Sequence, residues 1–173
     1  MRRLVVAIAI VAVGAVAGSA QDIPLEYRVK AAYLFNFVRF VEWPAEAPAG
    51  PVTICIAGRN PFGDVLADTV RGETVGGRPI VSRVIADPDP GCDVLFIPRG
   101  MAPAAWLRGS RAKPTLTVGE HDGFVEQGGM INFVQDGRNV RFQIEGDAAS
   151  RAGLRISSRL LRLSRATPSA PTQ

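Results

Sequence analysis

The sequence is poor in the residues that carry chemistry. It has one histidine, His121, and two cysteines, Cys55 and Cys92. It contains no CxxC pair and no HExxH segment, so the usual zinc ligand sets are missing. A Ser-His-Asp or Cys-His relay would have to use His121, and no GxSxG elbow is present. His121 lies in a polar, glycine-bearing loop beside Glu120 and Asp122, which predicts a solvent-facing ring. Carboxylates are not obviously paired. Glu145 ends a strand just before Asp147 and reads as a residue that opens the next helix. The groupings expected of an enzyme are absent, and no catalytic residue, metal or cofactor is expected.

Phosphate-binding signals are equally thin. "GRNPFG", Gly58 to Gly63, stands between a strand and a helix, where α/β folds place a phosphate loop. It has no GK[ST], and Pro61 removes one backbone donor. An ordinary helix-initiating turn is the simpler reading. Internal repeats and long linkers are also lacking.

The longest apolar run is at the start. Arg2 and Arg3 precede Leu4 to Ala17, broken only by Gly14, and Gly18-Ser19-Ala20 follows. This reads as a signal peptide, residues 1–20, cleaved before Gln21, because the run is short for a membrane span. Without it the chain carries 18 basic and 16 acidic residues. So small an excess argues against nucleic acid as a partner. Export to an oxidising compartment makes a Cys55–Cys92 disulfide the first reading, with two buried free thiols as the alternative. The mature domain spans residues 21–165, and the tail 166–173, "ATPSAPTQ", reads as disordered.

Within the domain, residues 24–43 predict a helix that begins at Pro24 and is stopped by Pro44. Strands are predicted at Pro51–Gly58, Pro79–Ile85, Cys92–Pro98 and "PTLTVG". Short helices fall at Pro61–Val70 and "MAPAAWLRG". "MINFVQDGRNVRFQIE" reads as a hairpin about Asp136-Gly137. A last helix, with Asp147 as N-cap, is predicted through "GDAASRAGLRISSRLLRLSR". This alternation predicts a single-domain α/β three-layer sandwich, Rossmann-like, mostly parallel with an antiparallel edge hairpin. In the last helix Arg151, Arg155, Arg159 and Arg162 would form one basic stripe. That is either a solvated face or a surface for an acidic partner or an anionic membrane.

Six segments occur in the order found in a known family: "VKAAYLFNFVRFVEWP", "VTICIAGRNPFG", "VGGRPIVSRV", "CDVLFI", "PTLTVGE…GFVEQGGMINFV" and "VRFQIEGDAASRAGLRISSRLLRLSR". From about Glu26 to Arg165 the chain resembles the YfiR-like periplasmic proteins. The resemblance implies a periplasmic α/β regulator rather than an enzyme. The family's namesake represses a membrane diguanylate cyclase through its periplasmic part, which lowers cyclic-di-GMP and restrains biofilm formation. The implied partner is therefore the periplasmic domain of a diguanylate cyclase or a sensor kinase. Family members also dimerise, so a homodimer is a further expectation. Disulfides hold such proteins in the repressing form, but only one cysteine pair exists here. Glu145 stands where the family's F-x-I-N pattern carries Asn, so a role tied to that amide does not carry over.

The expected partner or ligand surface comprises Glu42, Trp43, Phe62, Glu120, Arg141, Arg151, Arg155 and Arg159. The alternative function is a small-molecule sensor module acting with a membrane receptor. Its pocket would lie at the carboxyl ends of the strands, lined by Trp43, Phe62 and Arg141.

Overall fold

A computed structural model describes residues 22–44 and 50–164. The expected signal peptide, 1–20, and tail, 166–173, lie outside the described residues. The first helix, α1, spans Leu25–Phe40. Nine strands follow: β1 Val41–Glu42, β2 Val52–Ala57, β3 Thr74–Val75, β4 Arg78–Ile85, β5 Val94–Ile97, β6 Leu116–Gly119, β7 Ile131–Asp136, β8 Asn139–Ile144 and β9 Arg155–Ile156. Between them lie helices α2 Val65–Val70, α3 Pro103–Gly109, α4 Gly146–Arg151 and α5 Ser158–Leu163. No helix among the described residues is long and apolar enough to cross a membrane.

Seven strands form one sheet in the order β3-β4-β2-β5-β6-β7-β8. The five from β4 to β7 are mutually parallel, while β3 and β8 add antiparallel edges. Every residue of β2, β5 and β6 is buried, as parallel strands covered on both faces require. Two apolar cores result. Val52, Ile54, Val94, Phe96, Leu116 and Val118 face α1, α2, α4 and α5. Cys55, Ala57, Leu95 and Ile97 face Trp106 and Leu107 of α3. The expected covering of both sheet faces is therefore present. The strand order is not the dinucleotide-binding 3-2-1-4-5-6. Counted along the chain, the parallel strands run 2-1-3-4-5, the flavodoxin-like arrangement.

Two helix expectations need correction. Helix α1 stops at Phe40, three residues early. The Phe40 carbonyl accepts from the Ser157 N–H at 2.9 Å, and Val41 and Glu42 pair antiparallel with Ile156 and Arg155. Pro44 pushes Trp43 toward extended geometry as well. The C-terminal segment is two short helices with a strand between them. Gly153 adopts φ +78°, and the Gly153 and Leu154 N–H groups cap the carbonyls of Ser150 and Ala149. Ser157 then restarts the chain as N-cap of α5, its hydroxyl accepting from Leu160 N–H at 3.3 Å. The N-cap of α4 is Glu145, not Asp147; its carboxylate accepts from the Asp147 N–H at 3.2 Å. The β7–β8 hairpin forms where expected. Gly137, at φ +60°, is the first of its two loop residues, as a type II′ turn demands.

Candidate functional site

In an α/β sheet the customary ligand crevice lies at the carboxyl edge, where the strand order reverses. Here that place, between β2 and β5, is plugged by the first turns of α1. Tyr27 meets Phe62 edge-on at 5.5 Å between centroids, and Phe62 meets Phe96 at 5.0 Å. Lys30 Nζ donates to the carboxylates of both Glu26 and Glu120. The Tyr27 hydroxyl donates to Glu120 Oε1 at 3.1 Å, and the Arg99 backbone N–H donates to the same oxygen at 2.7 Å. The side chains of Lys30 and Glu120 are 2% and 0% exposed. Charges so deeply buried persist only when paired and hydrogen-bonded, and each is.

The Gly58–Gly63 loop is closed as an ordinary turn, with backbone groups already engaged. Its Phe62 N–H donates to Asn60 Oδ1 at 2.9 Å, and Asn60 Nδ2 donates to the Gly63 carbonyl at 2.8 Å. Gly58 N–H is taken by the Ile85 carbonyl, and Pro61 has no N–H.

Burial, with the adjacent Glu120 carboxylate, pushes the Tyr27 phenol up to about 12. The folded-state value lies above the free-tyrosine value of about 10. This contribution to stability is therefore full below pH 10 and is lost as pH rises toward 12. Alkaline difference spectroscopy is expected to show the Tyr27 phenol ionising well above the ordinary tyrosine range. A Glu120→Gln variant should bring Tyr27 back toward the ordinary range. An unchanged titration curve would show that Glu120 is not a cause.

His121 is not the solvent-facing residue expected. Its Nε2 is buried without a hydrogen-bond partner, and its ring stacks on Phe124 at 6.1 Å. Asn132 fixes the backbone on both sides of the residue, accepting from His121 N–H at 3.1 Å and donating to its carbonyl at 2.8 Å. Among the described residues no three His, Cys, Asp or Glu side chains form a metal-binding group.

The opposite, amino edge of the sheet is where most of the expected surface residues converge. Helix α1 runs back across the sheet, so its last residue, Phe40, lies about 20 Å from Tyr27 at 1.5 Å per residue, with Trp43 beyond it. There Glu42 sits across from Arg155 in the β1–β9 ribbon. The Arg159 guanidinium lies 5.4 Å over the Phe40 ring. Trp43 packs against the core, with its Nε1 buried and without a hydrogen-bond partner among the described residues. Next to the ribbon, the turn at Gly153 approaches Pro44 and Pro114. Arg151 lines a separate cleft with Arg111 and Lys113. The single basic stripe is thus divided among α4, β9 and α5.

Three expected residues fall elsewhere. Phe62 and Glu120 are buried and present no surface to a partner. Arg141 stands on edge strand β8, 3.9 Å from Asp136. Trp43, Phe62 and Arg141 therefore do not form the expected carboxyl-edge pocket. Sequence reasoning missed Lys30, although Glu26 and Lys30 show an i,i+4 charge pair.

Cys55 and Cys92 are joined, with Cα atoms 5.7 Å apart. Cys55 is on β2, and Cys92 lies two residues before its neighbour β5. Both are buried in the core that α3 covers.

The profile of the YfiR/HmsC-like family (DUF4154) matches residues 27–165, the whole framework from Tyr27 to the end of the C-terminal helices. The chain belongs to the YfiR/HmsC-like family. YfiR/HmsC-like proteins are periplasmic regulators rather than known enzymes. Among solved structures, a conserved domain protein from Vibrio cholerae O1 biovar El Tor superposes with a TM-score of 0.57 at 11% identity. The alignment covers 82% of this YfiR/HmsC-like chain and 60% of the Vibrio chain, and at that identity the likeness is one of fold. No curated protein matches significantly.

Proposed function

We propose that this chain is exported, loses residues 1–20, and acts as a repressor of a membrane signalling protein. It binds the periplasmic part of a diguanylate cyclase, or of a sensor kinase, through the β1–β9 ribbon and α5. The observation that carries this reading is the composition of that surface. Arg155 and Arg159 are exposed beside the half-buried Phe40 and Trp43, and Leu161 and Leu163 remain 43% and 61% exposed. Arginine and aromatic anchors framed by apolar surface are the residues that dominate protein interfaces. Repression requires tighter binding to the inactive receptor than to the active one, which lowers cyclic-di-GMP in the cell.

The test is capture of the receptor from native membranes by the wild-type protein and by an Arg155→Glu/Arg159→Glu variant. Both positions are exposed, so the variant should fold normally. Wild type is expected to retain a membrane cyclase or kinase, and the variant to lose at least about tenfold of it, as for truncated interface charges. Deleting the gene should raise cyclic-di-GMP. No captured receptor, together with an unchanged cyclic-di-GMP level, would end the proposal.

A further inference from the structure

The amino edge holds a cleft that none of the preceding roles uses. It is about 590 Å³ in volume and opens between the end of α3 and the C-terminal end of α4, below β6. Its inner wall includes Leu107, Met130 and Ala148, all buried and apolar. Its remaining wall carries three cations, Arg111, Lys113 and Arg151, and among the described residues no carboxylate lines it. Arg111 and Arg151 are exposed, and neither has an ion-pair partner among the described residues. Lys113 is held only at 3.6 Å from Asp93, and Arg78 reaches the same carboxylate at 3.7 Å.

We infer that this cleft is a binding site for a small amphipathic anion: a carboxylate or phosphate carried on a compact apolar body. Two features select that chemistry. Guanidinium groups present forked donors suited to carboxylate and phosphate, and no anion among the described residues neutralises Arg111 or Arg151. The apolar wall would be left wet by a bare inorganic ion but would be covered by a ring or short chain. The volume lies within the range of small-molecule sites. Four segments supply the cations and the wall: the end of α3 with the turn after it, the segment running into β6, the approach to β7, and α4. An occupant would therefore tie α4 to the opposite face of the sheet. The site is distinct from the partner surface, and the inference stands whether or not a membrane receptor is found.

The probe is phenyl phosphate, titrated calorimetrically into the purified chain at fixed ionic strength. Inorganic phosphate and benzyl alcohol serve as comparisons. Phenyl phosphate is expected to bind, inorganic phosphate at least about tenfold more weakly, and benzyl alcohol not measurably. An Arg111→Gln/Arg151→Gln variant should weaken phenyl phosphate binding by about tenfold or more, at an unchanged melting temperature. Arg59→Gln, at the opposite edge, should leave it unchanged. Absence of phenyl phosphate binding overturns the inference. So does equal binding by the Arg111/Arg151 variant, or equal binding of benzyl alcohol. Equal affinity for inorganic phosphate overturns the amphipathic requirement, because the apolar wall would then contribute nothing.

Discussion

Replacing Lys30 by methionine is expected to destabilise the fold by about 3–5 kcal/mol, the cost of stranding one member of a buried ion pair. Methionine matches the shape of the lysine stem but leaves the fully buried Glu120 carboxylate without its cation. Glu120 would keep only the Tyr27 hydroxyl and the Arg99 N–H as donors. In a domain of this size the melting temperature should fall by about 10 °C or more. Glu120→Gln should be milder, because Lys30 retains the partly exposed Glu26 as a partner. The combined Lys30→Met/Glu120→Gln variant should be more stable than the sum of the two changes predicts, since it removes the stranded charge. Urea melts of the four proteins give the coupling directly. Strict additivity would mean that the two charges do not act as a pair.

Removing the disulfide should have an effect of similar size. The bridge joins residues 37 apart, and closing a loop of that length contributes about 4 kcal/mol in the chain-entropy description. A Cys55→Ala/Cys92→Ala variant is therefore expected to unfold at distinctly lower denaturant. A loss below about 1 kcal/mol would place most of the constraint in the flanking strands, which are paired independently. Both sulfurs are buried beneath Trp106 and Leu107. Reductant at native conditions should accordingly cleave the bridge only as fast as that face opens, and thiol labelling should follow unfolding. If reductant abolishes receptor capture within the dead time of mixing, the bridge is more accessible than this packing allows.

The elements were largely legible in the sequence because each rests on local pattern. β2 and β5 are apolar runs of strand length, the Gly137 hairpin carries its turn residues, and α1 opens at Pro24. What escaped was decided by distant partners. Strands β1 and β9 have two residues each, too few for a periodicity, and exist only because they meet. Gly153 stood in plain view, but the pattern of arginines concealed the break that it makes. Burial of Glu120 follows from α1 crossing the carboxyl edge, a matter of strand order that the sequence does not display. Arg151 was noticed, but Arg111 and Lys113, forty residues away, were not recognised as its neighbours.

The β1–β9 ribbon also sets a schedule. Val41 and Glu42 leave α1 early in the chain, yet their pairing partners are residues 155 and 156. A chain delivered from its N-terminus, whether at a ribosome or at the exit of a translocation pore, makes α1 and the first strands long before it can close the far end of the helix. The Phe40 carbonyl waits for almost the whole polypeptide. Pairings so far apart in sequence are the slow ones. Until they form, the exposed helix end is open to chaperones and proteases. The ribbon is thus among the last parts of the fold that such a chain can close. A product that stops before Ile156 lacks the β9 pairing and α5, and is expected to leave the end of α1 uncovered.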